Sequence, residues 1–122
     1  GENPFRVFGA EQRRAFCHVT DAVEAMTRLV ATEPAWGQVV NIGNDAEEIQ
    51  IGELLTLILH TARFAPTVEP RPAPPGSVAR RCPDIGRLRA LTGFAPKVSL
   101  ETGVAETFAW YRQWWEREER GR

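Results

Sequence analysis

A run of prolines in the second half of the chain restricts its fold more than any other feature. Five of the nine prolines lie between positions 66 and 75. Proline has no backbone N–H and a fixed φ, so this stretch cannot form a regular helix or the central strand of a sheet. We expect an extended loop there, and loops of this length are often functional.

Short strands and one helix are predicted before the prolines. Residues 4–8 and 15–19 are rich in aromatic and β-branched side chains, which indicates two strands. Apolar residues then recur at helical spacing over 21–32, where Asp21 resembles a helix cap. Residues 38–42 form a third candidate strand, which runs into a turn rich in glycine, asparagine and aspartate.

Three further helices are predicted after that turn. The first carries a broad apolar stripe made of Ile51, Leu54, Leu55, Ile58, Leu59 and Ala62. Because the stripe is broad, we expect a sheet or another helix to cover it. A short helix after Pro83 is predicted to stop at Gly93, and Ser99 is suited to cap a last helix that carries several aromatic residues.

These elements predict one small α+β domain over residues 1–122, with short strands and about four helices. A length of 122 residues with 43% hydrophobic content supports one modest core. The net charge of −1 gives no overall field that would attract nucleic acid or an anionic membrane, so we expect neither as a partner. Without a signal sequence or a long apolar stretch, a cytoplasmic location is expected, with Cys17 and Cys82 as reduced thiols.

Residue combinations that carry catalysis are absent from this sequence. His18 and His60 lie far apart, and a structural role is the better interpretation for each. The single tyrosine, Tyr111, follows the single lysine, Lys97, so no Tyr-x-x-x-Lys pair exists to form a phenolate base. The glycines form no phosphate-binding loop. We therefore expect this chain alone to hold no catalytic residue, no metal and no cofactor.

Two arginine-bearing segments are the main candidates for a binding site. They span residues 12–16 and 80–84, and each contains two adjacent arginines. If the segments converge, two guanidinium groups could bind a diphosphate, since the planar fork of arginine suits bidentate contact with phosphate oxygens. The alternative is that all four arginines are solvated and pair with nearby acids, which composition alone favours.

At these residues the sequence resembles the extended short-chain dehydrogenase/reductase family, in particular its UDP-glucuronate decarboxylase, dTDP-glucose dehydratase and UDP-glucose epimerase branch. Five motifs occur in the family's order and cover essentially the whole chain. They span residues 1–9 (GENPFRVFG), 12–21 (QRRAFCHVTD), 40–44 (VNIGN), 81–85 (RCPDI) and 92–104 (TGFAPKVSLETGV). The loop between Gly9 and Arg14 is one residue shorter than in the family, and Phe94 replaces a usual tryptophan.

The resemblance implies that this chain is the C-terminal, substrate-binding portion of an NAD-dependent nucleotide-sugar enzyme. The NAD-binding Rossmann half, with its glycine fingerprint and Tyr-Lys pair, is not in the sequence. The family match assigns Arg14 and Arg81 to the diphosphate of a UDP- or dTDP-sugar, and Phe8 to its base. A core position is an equally good interpretation of Phe8.

The alternative from another functional class is a stand-alone interaction or dimerisation module that kept the fold and lost the ligand. Trp110, Trp114 and Trp115 motivate this alternative, because exposed aromatic area usually marks a contact surface. In the first interpretation the same residues would face the Rossmann domain or a dimer partner. The sequence leaves open the sugar, the nucleotide, and the choice among epimerisation, dehydration and decarboxylation.

Overall fold

The structure is a computed structural model that describes residues 3–120, so Gly1 and Glu2 of the first motif lie outside the described residues. Within that range the strands are β1 Phe5–Phe8, β2 Arg13–Ala15, β3 Glu48–Gln50, β4 Val68–Arg71 and β5 Arg80–Arg81. The helices are α1 Val19–Ala31, α2 Ile51–Ala62, α3 Gly86–Thr92 and α4 Leu100–Arg120, with a 3₁₀ turn at Glu33–Ala35. This confirms the predicted α+β class with about four helices.

The proline-rich stretch contributes one strand at the edge of a small sheet. Strand β4 pairs in parallel with β1 in a two-stranded sheet, and Pro70 lies opposite Val7. A strand at an edge tolerates proline because one side of its backbone needs no ladder partner. The end of the stretch and the residues that follow it form a loop, residues 72–79, that leads to β5.

The second sheet has the strand order β3-β2-β5, with β2 antiparallel to β3 and parallel to β5. The predicted strand at 15–19 was wrong in its extent, because the ladder covers Arg13–Ala15 and the chain leaves it at Phe16. His18 is the N-cap of α1, where its Nδ1 accepts the Thr20 backbone N–H at 3.4 Å. The helix therefore begins two residues before the predicted start.

The predicted strand at 38–42 was also wrong. The backbone there is irregular, and no strand of the described residues pairs with it. Side chains still alternate, since Val39 is 85% exposed whereas Val40 and Ile42 pack against the core. A period of two indicates an extended backbone, but a strand also needs a neighbouring strand to supply hydrogen bonds.

The core lies between α1 and α3. Ala25, Ile85, Leu88 and Phe94 are fully buried there, and Leu29 packs against them from α1. Phe94 is the residue that replaces the tryptophan of the resemblance, and the core accommodates it. None of the helices in residues 3–120 has both the length and the apolar content to span a membrane.

Asp21 joins α1 to the segment before α4. Its side chain is 2% exposed, and Oδ2 accepts the backbone N–H groups of Lys97 and Val98, each at 3.0 Å. The prediction that Asp21 caps its own helix was therefore wrong. A buried carboxylate needs hydrogen-bond donors to offset the loss of its hydration. Because both donors of Asp21 come from the segment before α4, this residue holds two remote segments together.

Other contacts also link segments that are far apart in sequence. Gly43 lies so close to Pro83 that a Cβ at position 43 would be 2.5 Å from the proline Cγ. The Glu47 carboxylate accepts the backbone N–H of Leu100 at 2.8 Å, which satisfies one free donor at the start of α4. Ser99 Oγ accepts the Thr102 backbone N–H at 3.2 Å, which confirms the predicted cap.

Replacement of Asp21 tests the link between α1 and the segment before α4. We expect Asp21→Ala to lower the free energy of unfolding by about 2–4 kcal/mol, because two buried N–H donors lose their acceptor. Asp45→Ala is the matched control, since Asp45 pairs only at the surface with Arg89 and should cost about 0–1 kcal/mol. Urea denaturation measures both, and equal losses would contradict the assignment.

An ion pair at the surface predicts a specific response to acid. Hydrogen bonds from Lys97 and then Arg28 lower the pKa of Glu24 below its ordinary 4.5. Because the folded-state pKa is depressed, this stabilisation is present above pH 4.5 and is lost as the pH falls through the lower folded value. We expect the Tm of Glu24→Gln to fall less between pH 5 and 3 than that of the wild type. Glu33→Gln, at an exposed position, should retain the wild-type slope.

Candidate functional site

Strand pairing brings Arg14 and Arg81 together. They are register partners in the parallel pair of β2 and β5, although 67 positions separate them in the chain. Paired strands lie about 4.8 Å apart, and side chains at partner positions project from the same face of a sheet. The two guanidinium groups therefore start from neighbouring points on one surface.

The other two arginines lie on the opposite face of the sheet, where one carboxylate pairs with both. Glu48 accepts Arg80 Nε at 2.7 Å and Arg80 Nη2 at 3.1 Å, and its Oε1 lies 3.6 Å from Arg13 Nε. The hydrogen bonds from Arg80 lower the pKa of Glu48, and the same contacts raise the pKa of Arg80. Arg13 and Arg80 therefore fit the alternative interpretation, in which arginines pair with nearby acids at the surface.

On the face that carries Arg14 and Arg81, no carboxylate of residues 3–120 forms a salt bridge with either arginine. The third residue of that row is Ile49 on β3, the register partner of Arg14. Arg14 donates to the carbonyl oxygens of Arg13 at 2.7 Å and Val78 at 2.9 Å, and Arg81 forms no ion pair within residues 3–120. The row therefore carries two positive charges beside an aliphatic side chain, an arrangement that suits a phosphate group.

Phe8 lies at the end of β1, just before the turn that leads to β2. Its side chain is 55% exposed, whereas the neighbouring Val7 is buried. The interpretation of Phe8 as a core aromatic is therefore wrong. An exposed ring presents an apolar face on which a planar base can stack.

The two histidines have different surroundings in the structure. His18 Nδ1 lies 2.8 Å from Thr20 Oγ1, and His18 Nε2 lies 3.4 Å from Glu106 on α4. These contacts give His18 a structural role at the start of α1. His60 is exposed near the end of α2. Residues 3–120 bring together no cluster of three side chains able to hold a metal ion.

An apolar cavity of about 390 Å³ lies between α2, α4 and the segment before α1. Its lining includes Leu54, Ile58, Phe108 and the thiol of Cys17. Burial, and then the nearby charge of Asp21, raises the pKa of Cys17, so the thiol stays protonated at neutral pH. The cavity therefore provides space but no activated nucleophile.

Two exposed apolar surfaces lie outside the arginine row. One is a stripe along α1, here called the α1 stripe, which consists of Val19, Val23, Met26 and Val30 with exposed fractions of 48–74%. The other is the aromatic end of α4, which consists of Trp110, Tyr111, Trp114 and Trp115. Both reach a shallow pocket whose lining includes Val19, Trp110 and Tyr111. Each is an apolar surface of the kind that usually marks a contact region.

Reasoning from the residue types did not identify Glu48 and Gln12 as parts of this arrangement. Glu48 determines which arginines are paired with an acid, and it lies in a strand of only three residues. Gln12 is buried at 7% exposure and accepts Arg14 Nη2 at 2.8 Å. Its position two residues before Arg14 was the available signal, since side chains two apart along an extended chain share one face.

Comparison with known proteins gives consistent matches, although no family model matches the sequence. The chain is 31% identical over 113 residues to the UDP-N-acetyl-alpha-D-glucosaminuronate decarboxylase of Bacillus cytotoxicus, covering 88% of this chain and 35% of that protein. It superposes with a TM-score of 0.78 on UDP-glucose 4-epimerase from Thermotoga maritima, solved with UDP-glucose, at 28% identity over 88% of this chain and 34% of the epimerase.

A third match shares the fold. UDP-glucuronic acid 4-epimerase from Bacillus cereus, solved with UDP-glucuronic acid and NAD, has a TM-score of 0.81 at 24% identity, covering 90% of this chain and 35% of that protein. The chain thus spans about a third of the length of each of these proteins. It belongs to the extended short-chain dehydrogenase/reductase family and corresponds to the C-terminal portion of such enzymes.

Proposed function

We propose that this chain binds the diphosphate of a UDP- or dTDP-sugar, as the substrate-binding part of an NAD-dependent epimerase, dehydratase or decarboxylase. The observation that carries the proposal is the pairing of Arg14 with Arg81 on a face without a neutralising carboxylate. Two adjacent guanidinium groups offer charged N–H donors to neighbouring phosphate groups. The exposed ring of Phe8 supplies a surface for the base.

In this function the chain binds and orients, and other parts of the enzyme supply the chemistry. Bound NAD would accept a hydride from a sugar carbon, which prepares that sugar for epimerisation, dehydration or decarboxylation. The sequence of this chain has no glycine-rich loop to hold the NAD pyrophosphate. Its arginines would fix the substrate diphosphate so that the sugar reaches the reacting centre in one orientation.

Arginine variants test the diphosphate site. We expect Arg14→Gln and Arg81→Gln each to weaken UDP binding about tenfold or more, because each removes a charge-assisted contact with a phosphate. Arg80→Gln is the matched control, since Arg80 projects from the opposite face and pairs with Glu48. Titration of UDP into ¹⁵N-labelled protein measures affinity and identifies the residues whose signals shift.

Two results would contradict this proposal. One is the absence of shifts near Arg14 and Arg81 at millimolar UDP. The other is an equal loss of affinity in Arg80→Gln, which would mean that the binding depends on net charge rather than on the arginine row.

We further propose that the α1 stripe contacts the NAD-binding domain of the intact enzyme. Helix α1 already uses Ala25 and Leu29 to pack against the core, so the stripe is a second apolar side of the same helix. Residues 38–42 likewise have no strand partner in the described residues. A helix with two apolar sides is expected to be covered on both, and the related proteins are about three times as long as this chain.

The aromatic end of α4 favours a second candidate function, self-association. Trp110 and Tyr111 are each more than half exposed, and so is Trp115. Large exposed aromatic side chains are typical of protein interfaces. A module that dimerises through α4 would need no ligand at the arginine row.

Sedimentation tests this second function. If α4 mediates self-association, the sedimentation coefficient should rise with protein concentration, and the double variant Trp110→Ala/Trp114→Ala should remain monomeric. Trp36→Ala is the control, because Trp36 is 65% exposed but lies outside α4. A wild-type chain that stays monomeric at high concentration would reject self-association.

A further inference from the structure

A buried glutamine lies behind Arg14, and the proposed function gives it no role. The Gln12 side chain is 7% exposed, and its Oε1 accepts Arg14 Nη2 at 2.8 Å. The Ser77 hydroxyl lies 2.7 Å from Gln12 Nε2 and 3.0 Å from Gln12 Oε1. Buried amides require such partners, and here one partner comes from the candidate site and the other from the proline-rich loop.

The backbone of Gln12 is fixed as well. Its carbonyl oxygen accepts the N–H of Ile51, at the start of α2, at 2.9 Å, and its own N–H donates to Gly9 at 2.9 Å. Gly9 has a φ of 62°, and a Cβ there would lie 3.0 Å from Gln12 Cδ. Gly9 therefore leaves the space that the glutamine side chain occupies, and α2 holds the turn in place.

These contacts immobilise the guanidinium group of Arg14. Its Nη2 donates to Gln12 Oε1 and to the Val78 carbonyl, and its Nη1 donates to the Arg13 carbonyl. The Nε–H and one Nη1–H remain for a ligand, because a guanidinium group carries five N–H donors. A side chain that is ordered before binding does not lose that conformational freedom when the ligand arrives.

We infer that Gln12 is a positioning residue for Arg14 and that Gln12 and Ser77 together couple the proline-rich loop 72–79 to the anion site. The loop is anchored beside Arg14 by Ser77 and by the Val78 carbonyl, while most of its residues are exposed. A phosphate that binds Arg14 then favours the loop position in which these contacts persist, and the loop in turn favours binding. This inference rests on the proposed function.

Variants of Gln12 in the 122-residue chain test the inference by NMR. We expect Gln12→Ala to weaken UDP binding about three- to tenfold, because Arg14 loses its fixed orientation. The Nε–H signal of Arg14 should broaden in this variant before any UDP is added, and the amide signals of Ser77 and Val78 should shift. Gln113→Ala, on the exposed part of α4, should leave all three readouts unchanged.

A double-mutant cycle separates positioning from a general effect on the fold. In an Arg14→Gln background, Gln12→Ala should cause no further loss of UDP affinity, because its effect passes through Arg14. An equal loss in both backgrounds would overturn the inference. If Gln12→Ala fails to fold, the exposed position Ser77→Ala carries the same readouts with a smaller expected change.

The NMR readouts also distinguish failure of the inference from failure of the proposed function. If the wild type does not bind UDP, the proposed function fails, and the Arg14 Nε–H signal still reports on positioning. A sharp, unshifted Arg14 signal in folded Gln12→Ala would overturn the inference even where UDP binds the wild type.

Discussion

The parallel pairing of β2 with β5 decides which charged groups of this protein can act together. It places Arg13 opposite Arg80 and Arg14 opposite Arg81, although like charges at partner positions are destabilising. On one face Glu48 reduces the repulsion by accepting hydrogen bonds from Arg80. On the other face Arg14 donates hydrogen bonds to backbone carbonyl oxygens, and these carbonyl groups carry no net charge. That face therefore still favours an anion, which is the physical basis of the proposed site.

Several motifs of the family resemblance serve to hold the chain together. Asp21 of the second motif accepts the backbone N–H groups of Lys97 and Val98 in the last motif. Gly43 of the third motif leaves room for Pro83 of the fourth. A resemblance built on such residues reports mainly on the fold, because each motif preserves a contact with another. The proposed ligand contacts depend on far fewer residues, so binding needs its own experiment.

Local signals predicted the helices well and the sheets poorly. The apolar stripe from Ile51 to Ala62 predicted the extent of α2, and Gly93 predicted the end of α3. Both signals are local, because they lie within the helix or next to it. Strands β3 and β5 have three and two residues, too few for an alternating pattern to be visible. Their partners are also remote in sequence. From residue types alone all four arginines were equivalent, and only the pairing and the position of Glu48 distinguish them.

A strand was predicted at residues 38–42 but is not formed, and the α1 stripe is exposed. Under the proposed function these two features have a common physical explanation. Residues 38–42 have the alternation of a strand, and Val40 and Ile42 use it to pack against the core. Within residues 3–120 they lack a neighbouring strand, and the side chain of Val39, which points away from the core, is 85% exposed. The α1 stripe is an apolar surface that residues 3–120 leave exposed. A domain that contributes both a strand edge and an apolar face would satisfy both at once, because apolar area is unfavourable while it is exposed to water and backbone polar groups need hydrogen-bond partners once water is excluded.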